Sequence, residues 1–375
     1  MSSGNTDIQF GIVGCGAIAS VHAEVLGRLD GGRLASVYSR NSERREAFAS
    51  DFGAEAFGNY EAFLANRSLD AVVLCTPNGT HLDYGIPAAD AGKDLIIEKP
   101  LEVTVERGRR LLDHCLQAGV RLTVIYQNRF IPAIQELKQT VDQGLIGDLV
   151  MVRGSVKWFR DQDYYQKAPW RGTLDLDGGG ALINQAIHTV DLITWLAGPV
   201  ASVQAFKGTL THEGMEGEDN LVASMQFENG ALGVFEASTS VTPAQNRMIE
   251  LHGTRGTAVL DGDNLRITTG NGELSPSQEG QEGVTDSGNK PKQPGSGGGA
   301  SPFAGFSGEY HLRQYRHIVE YMQSGHTPMV SGEESLISLA FVEAAYRSSE
   351  KGESVFPEKP GKGSSKPNGS VTGNR

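Results

Sequence analysis

From residue 7 to about residue 130 short apolar runs alternate with helical patterns, and this alternation limits the fold more than any other feature of the chain. "IQFGIVG", "RLASVYS", "DAVVLCT", "KDLIIEK" and "RLTVIYQ" read as strands, with "ASVHAEVLGRL" and "ERREAFASDFG" among the helical segments between them. That period predicts right-handed βαβ crossovers and a parallel, doubly wound sheet covered on both faces. Beyond it the pattern changes. A helical stretch, "IPAIQELKQTVDQGLIG", leads into longer, more strictly alternating runs such as "LVMVRGSVKWF", "NLVASMQFEN" and "GTAVLDGDNLRITT". Turn signals such as "ENGA" and "LDGDN" join them, which predicts a large, mainly antiparallel open sheet in an α+β domain.

A chain of 375 residues accommodates both units. Residues 1–128 are expected to form a Rossmann dinucleotide-binding domain and 129–357 a substrate-binding and oligomerisation domain. Residues 270–305, with "PGSGGGASP", read as a flexible insertion, and 358–375 as a disordered tail. Helical patterns return in "YHLRQYRHIVEYM" and "SLISLAFVEAAYRSSEKG".

Composition excludes several function classes. A net charge of −12 with no basic block argues against nucleic acid. No apolar run approaches the ~20 residues that cross a bilayer, so no membrane partner is expected. The opening "MSSGNTDIQF" lacks the charged and apolar regions of an export signal. Three cysteines (Cys15, Cys75 and Cys115) without metal-ligand spacing fit neither a disulfide framework nor a structural zinc. A reduced, cytoplasmic protein without a metal is expected.

"FGIVGCGAIAS" places Gly14, Gly16 and Ala19 in a G-x-G-x-x-A arrangement after the first strand and before a helix. Gly14 allows the tight turn, Gly16 the approach of a pyrophosphate, and Ala19 close helix–strand packing. With Ala17 and Ile18 the loop opens a helix whose free N–H groups and dipole favour phosphate. The second strand ends on Ser39 and Arg40, with Arg44 and Arg45 a turn later, where an acid would hold the ribose hydroxyl of NAD. Arginines at a helix start oppose the dipole unless an anion meets them, which favours NADP(H), with NAD(H) as the alternative.

Ligands of doubly wound sheets sit at the carboxyl ends of the strands. Two further strand ends carry unusual residues: "CTPNGTH", with Thr76, Pro77, Asn78 and His81, and "LIIEKP", in which an apolar run stops on Glu98 and Lys99. The simple reading of the latter is a surface pair worth little. Near a nicotinamide, however, such a lysine could hydrogen-bond a substrate oxygen and stabilise charge developing on it. In "DGGGALINQAIHTVDLITWL" a 3.6-residue wheel puts Asn184, His188, Asp191 and Trp195 on one stripe of an otherwise apolar helix, which must face a partner or a cavity.

Together "GIVGCGAIA", "CTPNGTH" and "EKP" resemble the glucose–fructose oxidoreductase/inositol dehydrogenase (Gfo/Idh/MocA) family of NAD(P)-dependent oxidoreductases, over residues 7 to 355 apart from the insertion. The resemblance implies that Lys99 binds the reacting hydroxyl and the nicotinamide ribose, with a cis Lys99-Pro100 bond, and that His188 is the acid–base group. It places Thr76, Pro77, Asn78, His81 and Glu98 along the coenzyme, and adds Asn128 to them from "YQNRF", a segment similar to the family's at the start of the second domain. Trp170 and Arg171 become contacts to coenzyme or substrate, and Tyr165, Arg171 and Asn184 substrate ligands, with Tyr164 and Lys167 weaker candidates. Asn184 stands where many members carry an aspartate, and an amide cannot raise the basicity of His188 by charge. Asp191 either orients His188 or caps a packed helix end. The implied reaction is hydride transfer between nicotinamide and a secondary hydroxyl or ketone of a sugar, cyclitol or sugar derivative, in a homodimer or homotetramer. A bilin- or dihydrodiol-type reductase and a non-catalytic coenzyme sensor are the alternatives.

Overall fold

The computed structural model describes residues 7–270, 272–274, 308–325 and 328–359. Six parallel strands form the first sheet: β1 (Ile8–Val13), β2 (Gly32–Tyr38), β3 (Glu55–Phe57), β4 (Ala71–Leu74), β5 (Asp94–Ile97) and β6 (Leu122–Val124). Their spatial order, β3-β2-β1-β4-β5-β6, reverses direction between β1 and β4. This switch point opens a crevice outside the strand ends, where the sequence concentrates its glycines and its Glu-Lys-Pro. All four residues of β4 are buried, as a central strand covered on both faces requires. The helices are α1 (Ala17–Leu26), α2 (Ser42–Phe52), α3 (Tyr60–Leu64), α4 (His81–Asp90) and α5 (Val105–Ala118). Asn41 and Thr104 cap the second and fifth through their side chains.

The second unit begins with α6 (Pro132–Asp142), β7 (Leu149–Lys157) and the short α7 (Gln162–Gln166). A π-helical turn, Ala181–Ala186, runs directly into α8 (Ile187–Ala197). Then follow β8 (Val200–Gly208), β9 (Asn220–Phe227), β10 (Leu232–Ser238), β11 (Met248–Gly253), β12 (Gly256–Asp261), β13 (Asn264–Thr269) and β14 (Gly272–Leu274), and finally α9 (Glu309–Ser324) and α10 (Gly332–Lys351). The eight strands lie in the order β14-β13-β12-β11-β7-β10-β9-β8. Every pairing is antiparallel except that of β7 with β10, which is parallel. The expected insertion therefore begins later than residue 270, because Gly272–Leu274 pair with β13. Its remainder, and the expected tail beyond Lys359, lie outside the described residues.

Helices α8 and α10 cover one face of this sheet. On the other face Met151, Val222, Leu232 and Val234 are exposed, in keeping with the in–out alternation along β9. Helix α9 returns to the first unit. Its Leu312, Tyr315, Ile318 and Val319 share one core with Phe10, Ile12, Val25 and Val37. No described helix is long and apolar enough to cross a membrane.

Candidate active site

A cleft of about 1070 Å³ runs from the glycine loop across the strand ends to the start of α8. That exceeds the usual range for one drug-sized ligand and leaves room for a dinucleotide and a substrate together.

At one end lie Gly14, Gly16, Ala17 and Ile18. Gly14 has φ +102°, and a Cβ there would meet the Cys75 carbonyl oxygen at 2.6 Å. Gly16 faces open space, and α1 starts with no side-chain cap and no acid in its first turn. Its N–H groups are thus free for an anion, and the loop fits a dinucleotide pyrophosphate. Ser39, Arg40, Asn41 and Arg44 line the next part of the wall. Arg45 does not: it donates to the Ser39 carbonyl and pairs with Glu46. Thr76, Pro77 and Asn78 continue the lining.

The Lys99-Pro100 peptide bond is cis. Lys99 Nζ donates to the backbone carbonyl of Asn184 at 2.8 Å, so the end of β5 reaches the π-helical turn of the second unit. Burial pulls the Lys99 ammonium below its ordinary pKa, against the charges of Glu98 and Asp177. Glu98 points into the domain. Its Oε1 meets His22 Nε2 at 2.8 Å and its Oε2 accepts from the Lys99 N–H at 3.1 Å. Burial pushes this carboxyl up, but the His22 hydrogen bond and the charges of His22, His311 and Lys99 prevail and hold it at about 2.

His188 lines the cleft beside Lys99 and sits edge-on to the Tyr126 ring, 5.7 Å between centroids. Its Nδ1 is buried without a partner among the described residues. Burial first, then the Lys99 charge, holds the imidazole well below its ordinary pKa, so it is neutral and free to accept a proton. Asn184 also lines the cleft, and its amide donates to Asp177. Asp177 belongs to the glycine-rich loop and accepts from Gly172 N at 2.7 Å and from Asn78 Nδ2 at 3.1 Å. Burial raises its carboxyl to about 6 despite these bonds. A carboxylate thus stands next to Asn184 even though residue 184 is an amide.

Four expectations need correction. His81 is fully buried behind the lining, bonded to the carbonyls of Pro100, Leu101 and Thr76, where it supports the Lys99 loop instead of touching a coenzyme. Asn128 lies in a 3₁₀ turn (Gln127–Phe130) that presents Gln127 to the cleft instead. Tyr165 is buried against Thr239 and His212, and its neighbour Tyr164 lines the cleft. Asp191 does not orient His188: it forms a bidentate, buried ion pair with Arg129 at 2.7 and 2.8 Å, under the Trp195 ring. The 3.6-residue wheel fails only at Asn184, in the π-helical turn; within α8 Asp191 is three residues on from His188 and turns to Arg129.

Trp170 and Arg171 line the cleft, as expected, with Arg171 Nη1 donating to the Tyr164 carbonyl at 2.8 Å. Sequence reasoning missed Gln127, Trp158, Arg160, Asp177 and Gln185. Asp177 had a signal, a carboxylate opening the triple-glycine run. Trp158 and Arg160 lie in "WFRDQDYYQKAPWRGT", a stretch dense in aromatic and charged residues, and Gln127 in "YQNRF"; only Gln185 had no signal.

Two family descriptions divide the chain as the fold does. Residues 8–126 match "Oxidoreductase family, NAD-binding Rossmann fold", and residues 134–259 match "GFO/IDH/MocA C-terminal domain". The inositol 2-dehydrogenase of Rhizobium meliloti is 30% identical over 282 residues, 72% of this chain and 81% of that protein. The chain belongs to the GFO/IDH/MocA family. It is an NAD(P)-dependent oxidoreductase acting on CH–OH groups. Another relative, the scyllo-inositol 2-dehydrogenase (NAD(+)) of Bacillus subtilis, is 30% identical over 260 residues, 68% of this chain and 73% of that one. Among solved structures, the WlbA dehydrogenase of Bordetella pertussis in complex with NADH and UDP-GlcNAcA superposes with a TM-score of 0.79. It is 32% identical over 93% of this chain and 98% of that one.

Proposed function

We propose that this GFO/IDH/MocA protein is a dehydrogenase for a secondary hydroxyl of a sugar, a cyclitol or a sugar derivative, or a reductase for the corresponding ketone. The observation that carries the reading is that Lys99 and His188 line one cleft, close enough for the lysine charge to act on the imidazole, while the glycine loop of that cleft fits a dinucleotide. A bound nicotinamide supplies the hydride chemistry. The remaining work falls to the chain. Lys99, half-buried and tethered to Asn184, donates to the substrate oxygen and offsets charge developing there. His188, held neutral by burial, takes the hydroxyl proton or returns it in the reduction. Asn184 and Asp177 keep the Lys99 tether in place, and Trp170 and Arg171 close the wall.

The first unit holds the coenzyme, through Gly14, Gly16, Ala17, Ile18, Thr76, Pro77 and Asn78. No carboxylate stands at the end of β2, where Ser39, Arg40 and Arg44 line the wall, and this supports use of NADP(H). The NADH and NAD(+) in the names of relatives favour NAD(H) as the second reading. The apolar open face of the large sheet, with Met151, Leu232 and Val234, suits a second copy in a homodimer or homotetramer. Three free thiols suit a reducing cytoplasm.

The test is a dehydrogenase screen of sugars, cyclitols and nucleotide sugars with both coenzymes. Turnover of a polyol is expected. Coenzyme binding with no turnover across the panel would make the protein a sensor instead.

A further inference from the structure

Two cleft arginines, Arg160 and Arg171, flank the ring of Tyr164. Arg171 lies 4.0 Å from the ring centroid and Arg160 5.3 Å, with Trp158 also under Arg160 at 5.4 Å. Their hydrogen bonds go to neutral acceptors. Arg160 donates to the Gln185 amide oxygen at 2.8 Å and the Phe159 carbonyl at 3.0 Å, and Arg171 to the Tyr164 carbonyl at 2.8 Å. The Nε of each is buried without a partner among the described residues.

Elsewhere the fold treats its part-buried arginines differently. Arg107, Arg121, Arg129, Arg153 and Arg247 each meet a carboxylate at 3.0 Å or closer. A guanidinium removed from water without an anion is costly, and aromatic stacking offsets only part of that cost. The planar fork matches a carboxylate with two parallel hydrogen bonds.

The pair is also built in. Gln185 accepts from Arg160 and donates to the Tyr164 hydroxyl at 2.9 Å. It directly follows Asn184, whose carbonyl receives Lys99. Consecutive residues lie about 3.8 Å apart, so the arginines and the reacting lysine serve the same end of the cleft. The carboxylates beside Lys99 and Asn184 are both committed, Glu98 in the lining to His22 and the Lys99 N–H, and Asp177 behind it to Gly172, Asn78 and Asn184.

We infer that the substrate carries a carboxylate, held by Arg160 and Arg171 against the Tyr164 ring, and that the site takes a sugar acid in preference to the neutral sugar. This rests on the proposed reading of the cleft as a site of sugar oxidation. The same guanidinium chemistry would also suit coenzyme phosphate, and the test separates the two sources.

Calorimetric titration of the protein loaded with NADPH or with NADH, using D-glucuronate against D-glucose and UDP-glucuronate against UDP-glucose, measures the preference directly, with oxidation of the same sugars by NADP+ or NAD+ followed in parallel. The acid of at least one pair should bind at least roughly tenfold tighter, as for one charge-assisted contact. Arg160→Gln and Arg171→Gln should each cut the acid-to-neutral ratio by about tenfold, and Arg160→Lys by less. The wild-type ratio needs no variant to fold. Equal binding within both pairs, or no binding of either acid, would overturn the inference. So would a loss of NADPH or NADH affinity in the glutamine variants as large as the loss for the acid, which would assign the arginines to coenzyme phosphate. Acid preference without turnover would leave the anion site standing and remove the dehydrogenase reading. Preferential oxidation of the neutral sugars would do the reverse.

Discussion

Lys99 Nζ donates to the carbonyl oxygen of Asn184 across 2.8 Å, joining the end of β5 to the turn before α8. The acceptor is a backbone atom, and the Asn184 side chain contributes only indirectly, by holding that turn to Asp177. A substrate hydroxyl competes for the same ammonium, which has donors to spare. The lysine is therefore aimed before the substrate arrives.

From this pairing, Lys99→Met and His188→Ala should each lower turnover by at least ~100-fold, as for loss of a positioned acid–base group. Coenzyme affinity should change little in His188→Ala. The double variant should fall well short of the product of the two losses, because the groups act as one unit. Steady-state kinetics of the four proteins decides it. Near-normal turnover of His188→Ala would reduce His188 to a packing residue.

At the other end of the cleft, Arg40→Asp should weaken NADP(H) binding about ten- to a hundredfold, the range of a lost charge-assisted contact. NAD(H) binding should hold or improve. Fluorescence titration with both reduced coenzymes measures it, and equal losses would remove the case for a 2′-phosphate site.

A third expectation concerns pH. Glu218 is buried, accepts from Gly180 N, Leu182 N and the Tyr346 hydroxyl, and has its carboxyl pushed up to about 7 by burial. The folded state then keeps a proton that the unfolded chain releases near pH 4.5. Stability from this residue is complete below that value and is lost as pH rises through about 7. Glu98, held at about 2, works in the opposite sense, since its contribution is present above the unfolded value and lost as pH falls towards 2. The Tm of Glu218→Gln relative to wild type should accordingly climb between pH 5 and pH 8. A difference that falls over that interval would refute the assignment.

Arg129 and Asp191 are both almost wholly buried, with Glu334 and the Met329 carbonyl completing the arginine's partners. Removing one member of such a pair leaves an uncompensated charge, so Arg129→Ala should cost about 3–5 kcal/mol. Arg129→Met combined with Asp191→Leu should recover much of that loss. Urea unfolding measures both. Additive losses in the double variant would mean that the two charges do not depend on one another.

What the sequence discloses and what it withholds divide along physical lines. Strand runs, helical periods, Gly14–Gly16 and the Lys99 strand end are local patterns, and each lands where its period puts it. The misplaced residues sit beside correct ones, Asn128 next to Gln127 and Tyr165 next to Tyr164. In both places a short turn, not a repeating element, decides which neighbour faces the cleft. Asp191 was misread for another reason, because its partner Arg129 lies 62 residues away. Nothing in "NQAIHTVD" announces the π-helical turn that holds Asn184 and sets it apart from His188 and Asp191 in α8.

The return of α9 to the first unit bears on the order in which this chain can acquire its structure. Phe10, Ile12 and Val37 emerge early in synthesis, yet part of the surface that buries them, from Leu312 to Val319, emerges close to the end. A nascent chain halted after "YQNRF" would hold a complete parallel sheet with one apolar flank still in water, and its burial waits for residues made almost 200 positions later. Expression of residues 1–128 alone should accordingly give a loosely packed, aggregation-prone product, whereas supplying residues 308–359 as a separate polypeptide offers the missing helix in trans.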